Sequence, residues 1–171
     1  MSRVLVIPGS NREASLNRRL AQAAARATVA AGAAVTLADL RDFELPLYDG
    51  DLEASMGLPA NALRLKAMIA AHDALIIASP EYNASIPPLL KNAIDWASRP
   101  HGKNSFTHKP TTVIGTSPGK IGTAIAQQQL RSVLGFCNAP QMNAPEAYIQ
   151  FTNGLIDDEG EGFFFLIHLA Q

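Results

Sequence analysis

The run Ala74-Leu75-Ile76-Ile77-Ala78-Ser79 is apolar without a break until its last residue. Continuous rather than alternating apolarity marks a strand covered on both faces, as in a parallel sheet. Comparable runs stand at Val4-Leu5-Val6-Ile7, Ala33 to Leu40 and Thr111 to Thr116, and a short fifth strand is expected near Gln141 to Asn143. Between them lie stretches rich in good helix formers: Leu16 to Ala31 closed by Gly32, Pro59 to Ala71, Pro87 or Pro88 to Ser98, and Ile121 to Leu134. Residues 41 to 58, with Pro46, Gly50 and Gly57, read as loop. Strands alternating with helices give an α/β fold with a parallel sheet between helical layers, and right-handed crossovers leave few topologies. The 171 residues fit one domain, with 47% apolar residues to fill its core.

Charge and cysteine content narrow the function classes. A net charge of −1 gives no general attraction to nucleic acid or to an anionic membrane. Cys137 is the single cysteine, so no internal disulfide framework exists. No segment offers the ~20 apolar residues of a membrane span, and the start is too short for a signal-peptide core. A cytoplasmic protein is the simplest expectation. His72, His101, His108 and His168 lack metal-ligand spacing, and Cys137 reads as a small buried hydrophobe.

In open parallel sheets ligands bind beyond the carboxyl ends of the strands. The loop after the first strand is Gly9-Ser10-Asn11-Arg12-Glu13-Ala14-Ser15-Leu16-Asn17, leading into a helix. Free N–H groups and partial positive charge at a helix start, joined by Ser10, Arg12, Ser15 and Asn17, suit a phosphate. Ser15 alone would suffice as an ordinary N-cap. Gly-x-Gly-x-x-Gly is absent here, which argues against a Rossmann dinucleotide site.

After the third strand comes Pro80-Glu81-Tyr82-Asn83-Ala84-Ser85-Ile86-Pro87. This proline-bracketed loop has backbone groups and an amide for the edge of a flat heterocycle, and Tyr82 to cover part of it. A plain turn before the next helix is the alternative. Lys91 and Asp95 are spaced as a surface ion pair, and Trp96 reads as packing or subunit contact.

The loop after the fourth strand holds Gly115-Thr116-Ser117-Pro118-Gly119, which matches the Gly-x-Ser-x-Gly elbow of hydrolases, with Asp157, Asp158 and His168 following. That elbow uses the N–H of the residue after the serine for its oxyanion hole, and Pro118 has none. Gly119 and Gly122 instead allow a backbone to approach a flat ring, with the N–H groups of Gly119, Lys120 and Gly122 free to meet it.

Together these loops, with Leu90-Lys91-Asn92-Ala93-Ile94-Asp95-Trp96 and, as a weaker match, Gln127 and Gln129-Leu130-Arg131, resemble the NADPH-dependent FMN reductase family over about residues 3 to 150. The resemblance implies a flavodoxin-like three-layer sandwich with a five-stranded parallel sheet. It implies FMN as bound cofactor and NADPH or NADH as donor. The acceptor would be a small molecule such as a quinone, azo dye, metal oxyanion or free flavin. Ser10, Arg12, Ser15 and Asn17 would hold the phosphate. Pro80, Glu81, Tyr82 and Asn83 would line the ribityl chain and ring, with Ser117, Pro118, Gly119 and Gly122 on its other side. A homodimer or homotetramer is also implied. No side chain need act as acid or base in hydride transfer to the flavin, so none is named catalytic.

Two departures stand out. Thr123 and Ile125 occupy positions where the family shows a second glycine and an arginine. The end of the chain, Phe163-Phe164-Phe165-Leu166-Ile167, replaces a longer charged helix and is expected to finish the core or meet another subunit. The alternative function is a flavodoxin-like electron carrier or redox-sensing FMN module, which would usually be more acidic than this chain.

Overall fold

A computed structural model describes residues 1–160 and 162. Its five parallel strands are β1 (Arg3–Pro8), β2 (Ala34–Leu37), β3 (Ala74–Ala78), β4 (Thr111–Ser117) and β5 (Tyr148–Gln150), in the order β2-β1-β3-β4-β5. The helices are α1 (Leu16–Ala30), α2 (Gly50–Met56), α3 (Ala60–Ala70), α4 (Pro88–Ala97) and α5 (Ala124–Phe136). This is the flavodoxin-like sandwich expected from the sequence. The chain goes from β1 to β2 on one side and then to β3 on the other side of β1, which creates the switch point where such sheets open a crevice.

The sheet's two faces are filled differently. Leu5, Ile7, Leu75, Ile77 and Val113 on one face are buried against Leu65 and Ile69 of α3, Leu90 and Ile94 of α4, and Leu130 and Leu134 of α5. Leu20, Ala21 and Ala23 of α1 cover Val6, Ala78 and Ile114 on the other. There Val4, Ile76 and Thr112 stay half-buried, beside an apolar depression of about 390 Å³ that Thr28 and Met142 also line. Trp96 is fully buried and its Nε1 donates to Pro46 O at 2.8 Å, which settles it as packing. Cys137 is buried, and Lys91 Nζ lies 2.7 Å from Asp95 Oδ1. Among the described residues no helix is long and apolar enough to cross a membrane, and no group of His, Cys, Asp or Glu is arranged to hold a metal ion. The apolar run 163–167 lies outside the described residues.

Three element assignments differ from the sequence reading. The fifth strand is Tyr148–Gln150, whereas Gln141 makes only an isolated bridge to Thr111. Three residues carry too little periodicity to announce a strand, and β5 pairs only with Gly115–Ser117. Residues 50–56 form α2 inside the expected loop, with Asp49 Oδ1 accepting from Asp51 N at 2.8 Å. None of its residues is buried, so it lacks the apolar stripe that marks helices. The third difference is at α5, which begins at Ala124 rather than Ile121, because Gly122 turns the chain at φ +60°.

Asp39 ties α1 to the turn after β2. Its carboxylate accepts from Arg18 Nη2 and Arg41 Nη2, each at 2.7 Å, and from Arg41 N at 2.9 Å. Arg41 first, then Arg18, hold this carboxyl well below the usual carboxylate range despite partial burial. A lowered folded-state pKa gives stability that is complete above the unfolded carboxyl's ~3.9 and is lost as pH falls below it. Asp39→Asn is therefore expected to lower the urea midpoint at pH 7, with the gap to wild type closing between pH 4 and 2. A gap constant across that range would contradict the assignment.

Candidate functional site

Register brings the ends of β1 and β3 level with Gly115 of β4. Pro8 pairs with Ala78 and Ala78 with Ile114, so Gly9, Ser79 and Gly115 lie side by side, and β4 runs on to Ser117 beside β5 before its loop begins. The strands approach closely there. A Cβ on Gly9 would lie 2.9 Å from Leu90 Cδ2, and one on Gly115 would lie 2.5 Å from Ser79 O.

The loop after β1 carries the expected anion donors. Ser10 and Ser15 are buried, and Arg12 is exposed. Ser15 caps α1, its Oγ accepting from Arg18 N at 3.4 Å, and Ser10 Oγ accepts from Arg12 N at 3.3 Å. Arg12 has no ion pair among the described residues. Asn17 does something the sequence did not announce. Its Nδ2 donates to Thr116 O and its Oδ1 accepts from Thr116 N, both at 2.9 Å. This buried pair ties α1 to the end of β4 and leaves one Nδ2 hydrogen for a ligand.

In the loop after β3, Tyr82 is exposed and its hydroxyl lies 3.5 Å from Ser10 Oγ, which joins this loop to the first. Glu81 is turned away from the expected ring position. Its Oε2 accepts from Ala126 N at 2.9 Å, on the first turn of α5, where free N–H groups and partial positive charge favour a carboxylate. Asn83 and Ala84 have φ of +51° and +56°, and Tyr82 and Ser85 exchange backbone hydrogen bonds at 3.0 and 3.1 Å.

The loop after β4 corrects two expectations. Ser117 Oγ donates to Gly122 O at 2.5 Å and accepts from Gly119 N at 3.2 Å, while Gly122 N donates to Gly119 O at 3.0 Å. Two of the three N–H groups expected to meet a ring are thus spent inside the loop. Among the described residues only that of Lys120 lacks an acceptor. Gly122 faces β5 rather than the crevice, since a Cβ there would sit 2.6 Å from Ile149 N. Pro118 and Gly119 are exposed at the loop's crest. The hydrolase reading finds no support: Ser117 serves as a loop clasp, Asp158 pairs with Arg19, and His168 is outside the described residues.

Sequence reading also missed a buried knot under this loop. Gln127 Nε2 donates to Ala147 O at 2.8 Å and to Thr123 Oγ1 at 3.1 Å. Thr123 Oγ1 fills the space that Gly115 leaves open. The only signal for this was a glutamine on the helix face that carries Leu130 and Leu134.

The fold and these converging loops define a flavodoxin-like protein built to hold a phosphorylated planar cofactor. The model of the NADPH-dependent FMN reductase family matches residues 2–154. The chain is 42% identical over 158 residues to a 2-hydroxy-1,4-benzoquinone reductase from a Burkholderia species, covering 92% of this chain and 84% of that protein. It is also 42% identical over 158 residues to an NAD(P)H-dependent FMN reductase of Pseudomonas aeruginosa, covering 92% and 83%. A solved structure of a flavoenzyme NAD(P)H:(acceptor) oxidoreductase from Paracoccus denitrificans superposes with a TM-score of 0.83 at 43% identity, covering 94% of this chain and 85% of that one. The chain belongs to the NADPH-dependent FMN reductase family. It is an oxidoreductase whose cofactors are FMN and NAD(P)H.

Proposed function

We propose that the chain holds FMN across the β1/β3 switch point and passes reducing equivalents from NAD(P)H to a quinone or similar small acceptor. The observation that carries this is that Gly9, Ser79 and Gly115 lie level across β1, β3 and β4, with the segments around them cross-tied through Ser10–Tyr82 and Asn17–Thr116. The fit to FMN rests on this chain's donors. Ser10, Ser15, the remaining Asn17 amide hydrogen and the exposed Arg12 guanidinium would hold a phosphate at the α1 N-terminus.

Bound FMN supplies the hydride and electron transfer. The chain's residues bind and orient. Pro80, Tyr82 and Asn83 line one side of the ring, Ser117, Pro118 and Gly119 the other, and Glu81 and Gly122 shape these two walls from behind. Tyr82 is exposed, so a ring held against it would be open to donor and acceptor in turn. Exposed Ile121 just before α5, with exposed Ile125 and Phe136 on it, supports assembly into a homodimer or homotetramer. The single cysteine, which leaves the chain no internal disulfide, supports a cytoplasmic home.

The test is an absorption spectrum after FMN loading and gel filtration, followed by NAD(P)H oxidation with a quinone. A flavin band with no turnover would reduce the protein to a carrier. Arg12→Ala should weaken FMN binding by about 1.5–3 kcal/mol, or ~10–150-fold, the range for hydrogen bonds to charged groups. Fluorescence titration reads this directly, and unchanged affinity would remove Arg12 from the phosphate site.

A further inference from the structure

The turn Tyr82-Asn83-Ala84-Ser85 poses a physical problem. Its two central residues both have positive φ, the geometry of a two-residue hairpin turn that favours Asn followed by Gly. Asn83 suits its place, but Ala84 carries a Cβ into a region that penalises one. Such a conformation persists where neighbouring structure enforces it.

The enforcing group is Gln129 on α5. Its Nε2 donates to Ala84 O at 2.8 Å, and its Oε1 accepts from Ser85 Oγ at 2.7 Å. Both ends of one amide are spent on the two residues that close the turn. Three residues earlier on α5, the Ala126 N–H holds Glu81 at 2.9 Å, and positions three apart share a helix face. The loop after β3 is therefore fastened to α5 at both flanks of Tyr82 and Asn83. The first turn of α5 also follows directly on the loop after β4, so one helix fixes both walls of the crevice.

We propose that Gln129 is a positioning residue: its amide holds the strained 82–85 turn and so preorganises Tyr82 and Asn83 for the edge of the flavin. This rests on the reading of these loops as the FMN site. The competing account is that the turn closes itself and Gln129 merely rests on it.

Four proteins separate the two accounts: wild type, Gln129→Ala, Ala84→Gly and the double variant. The first readout is amide exchange at Ser85 in flavin-free protein, whose N–H is bonded to Tyr82 O. The second is FMN affinity by fluorescence quenching. Gln129→Ala should speed exchange and weaken FMN binding, each about fivefold to tenfold, the effect of losing about one net hydrogen bond. Ala84→Gly removes the backbone penalty, so the same removal in that background should change both readouts less than about threefold. Unchanged Ser85 exchange in Gln129→Ala, or equal effects in both backgrounds, would overturn the proposal. If wild type binds no FMN, the cofactor placement fails, and the exchange measurements decide the clamp alone.

Discussion

Gly115→Ala is expected to cost more than the ~1–3 kcal/mol typical of an overpacked core, a large share of the ~5–15 kcal/mol that holds an ordinary domain. The added methyl would lie 1.9 Å from Thr123 Oγ1 and 2.5 Å from Ser79 O. Ser79 O is backbone and cannot swing aside. Thr123 is fully buried and bonded to Gln127 Nε2, so its rotation would strip a buried amide of a partner. Relief requires β3 and β4 to part at the level where β3 ends. The variant should show a much lower urea midpoint by circular dichroism, and any folded fraction should bind FMN poorly. Gly50→Ala is the control. It opens the exposed helix α2, has only Tyr48 Oη at 4.0 Å from the added carbon, and should be neutral or slightly stabilising. A wild-type midpoint for Gly115→Ala would show that the strands do not meet as described.

The contrast between these glycines explains which parts of the fold the sequence revealed. Strands β1 and β3 were legible because most of their residues are covered on both faces, so Val4 to Ile7 and Ala74 to Ala78 read as apolar runs, and β4 was legible from its β-branched residues. Helix α1 was legible from its helix formers, its Ser15 cap and Gly32. Helix α2 and strand β5 were not, because neither buries an apolar stripe of its own: α2 is held by its Asp49 cap, and β5 by three residues of pairing. The site divides the same way. Ser10, Arg12 and Ser15 could be nominated because donors crowded before a helix have a recognisable purpose. Glu81, Gly119 and Gly122 were placed in the right loops, but what they face depends on long-range neighbours: the Ala126 N–H, the Ser117 hydroxyl and β5. Gln127 and Gln129 stood out only as part of a weak motif with no role attached, for the same reason. A glutamine on a helix gives no local hint that it grips a turn 45 residues away.

Asn17 shows how closely stability and cofactor binding share one side chain, and Asn17→Asp should separate them by pH. In the native protein the amide gives one hydrogen to Thr116 O and accepts the Thr116 N–H, with the residue 3% exposed. The substitution keeps the acceptor but sets an oxygen against the Thr116 carbonyl. Ionised, this is a buried charge with the Thr116 N–H but no counter-ion, set against a carbonyl, and the expected loss is about 3–5 kcal/mol near neutral pH. Protonated, the new carboxyl can donate to Thr116 O and much of the native pattern returns. Burial and the facing carbonyl both disfavour the charged form, so the introduced carboxyl's folded-state pKa lies above its unfolded value of ~3.9. The bond it makes is then fully present below pH ~4 and is lost as pH rises through the raised folded-state value. Urea midpoints should therefore fall steeply from pH 4 to 8 relative to wild type. Asn17→Ala leaves both Thr116 groups unpaired, at about 1–3 kcal/mol each, with no titrating replacement, so its deficit should be flat with pH. At pH 7 the folded fraction of Asn17→Asp should also bind FMN ~10–150-fold more weakly, because a negative charge replaces the amide hydrogen left for the phosphate. A stability loss without any loss of FMN affinity would place the phosphate away from Asn17 and confine this residue to fastening α1 to β4.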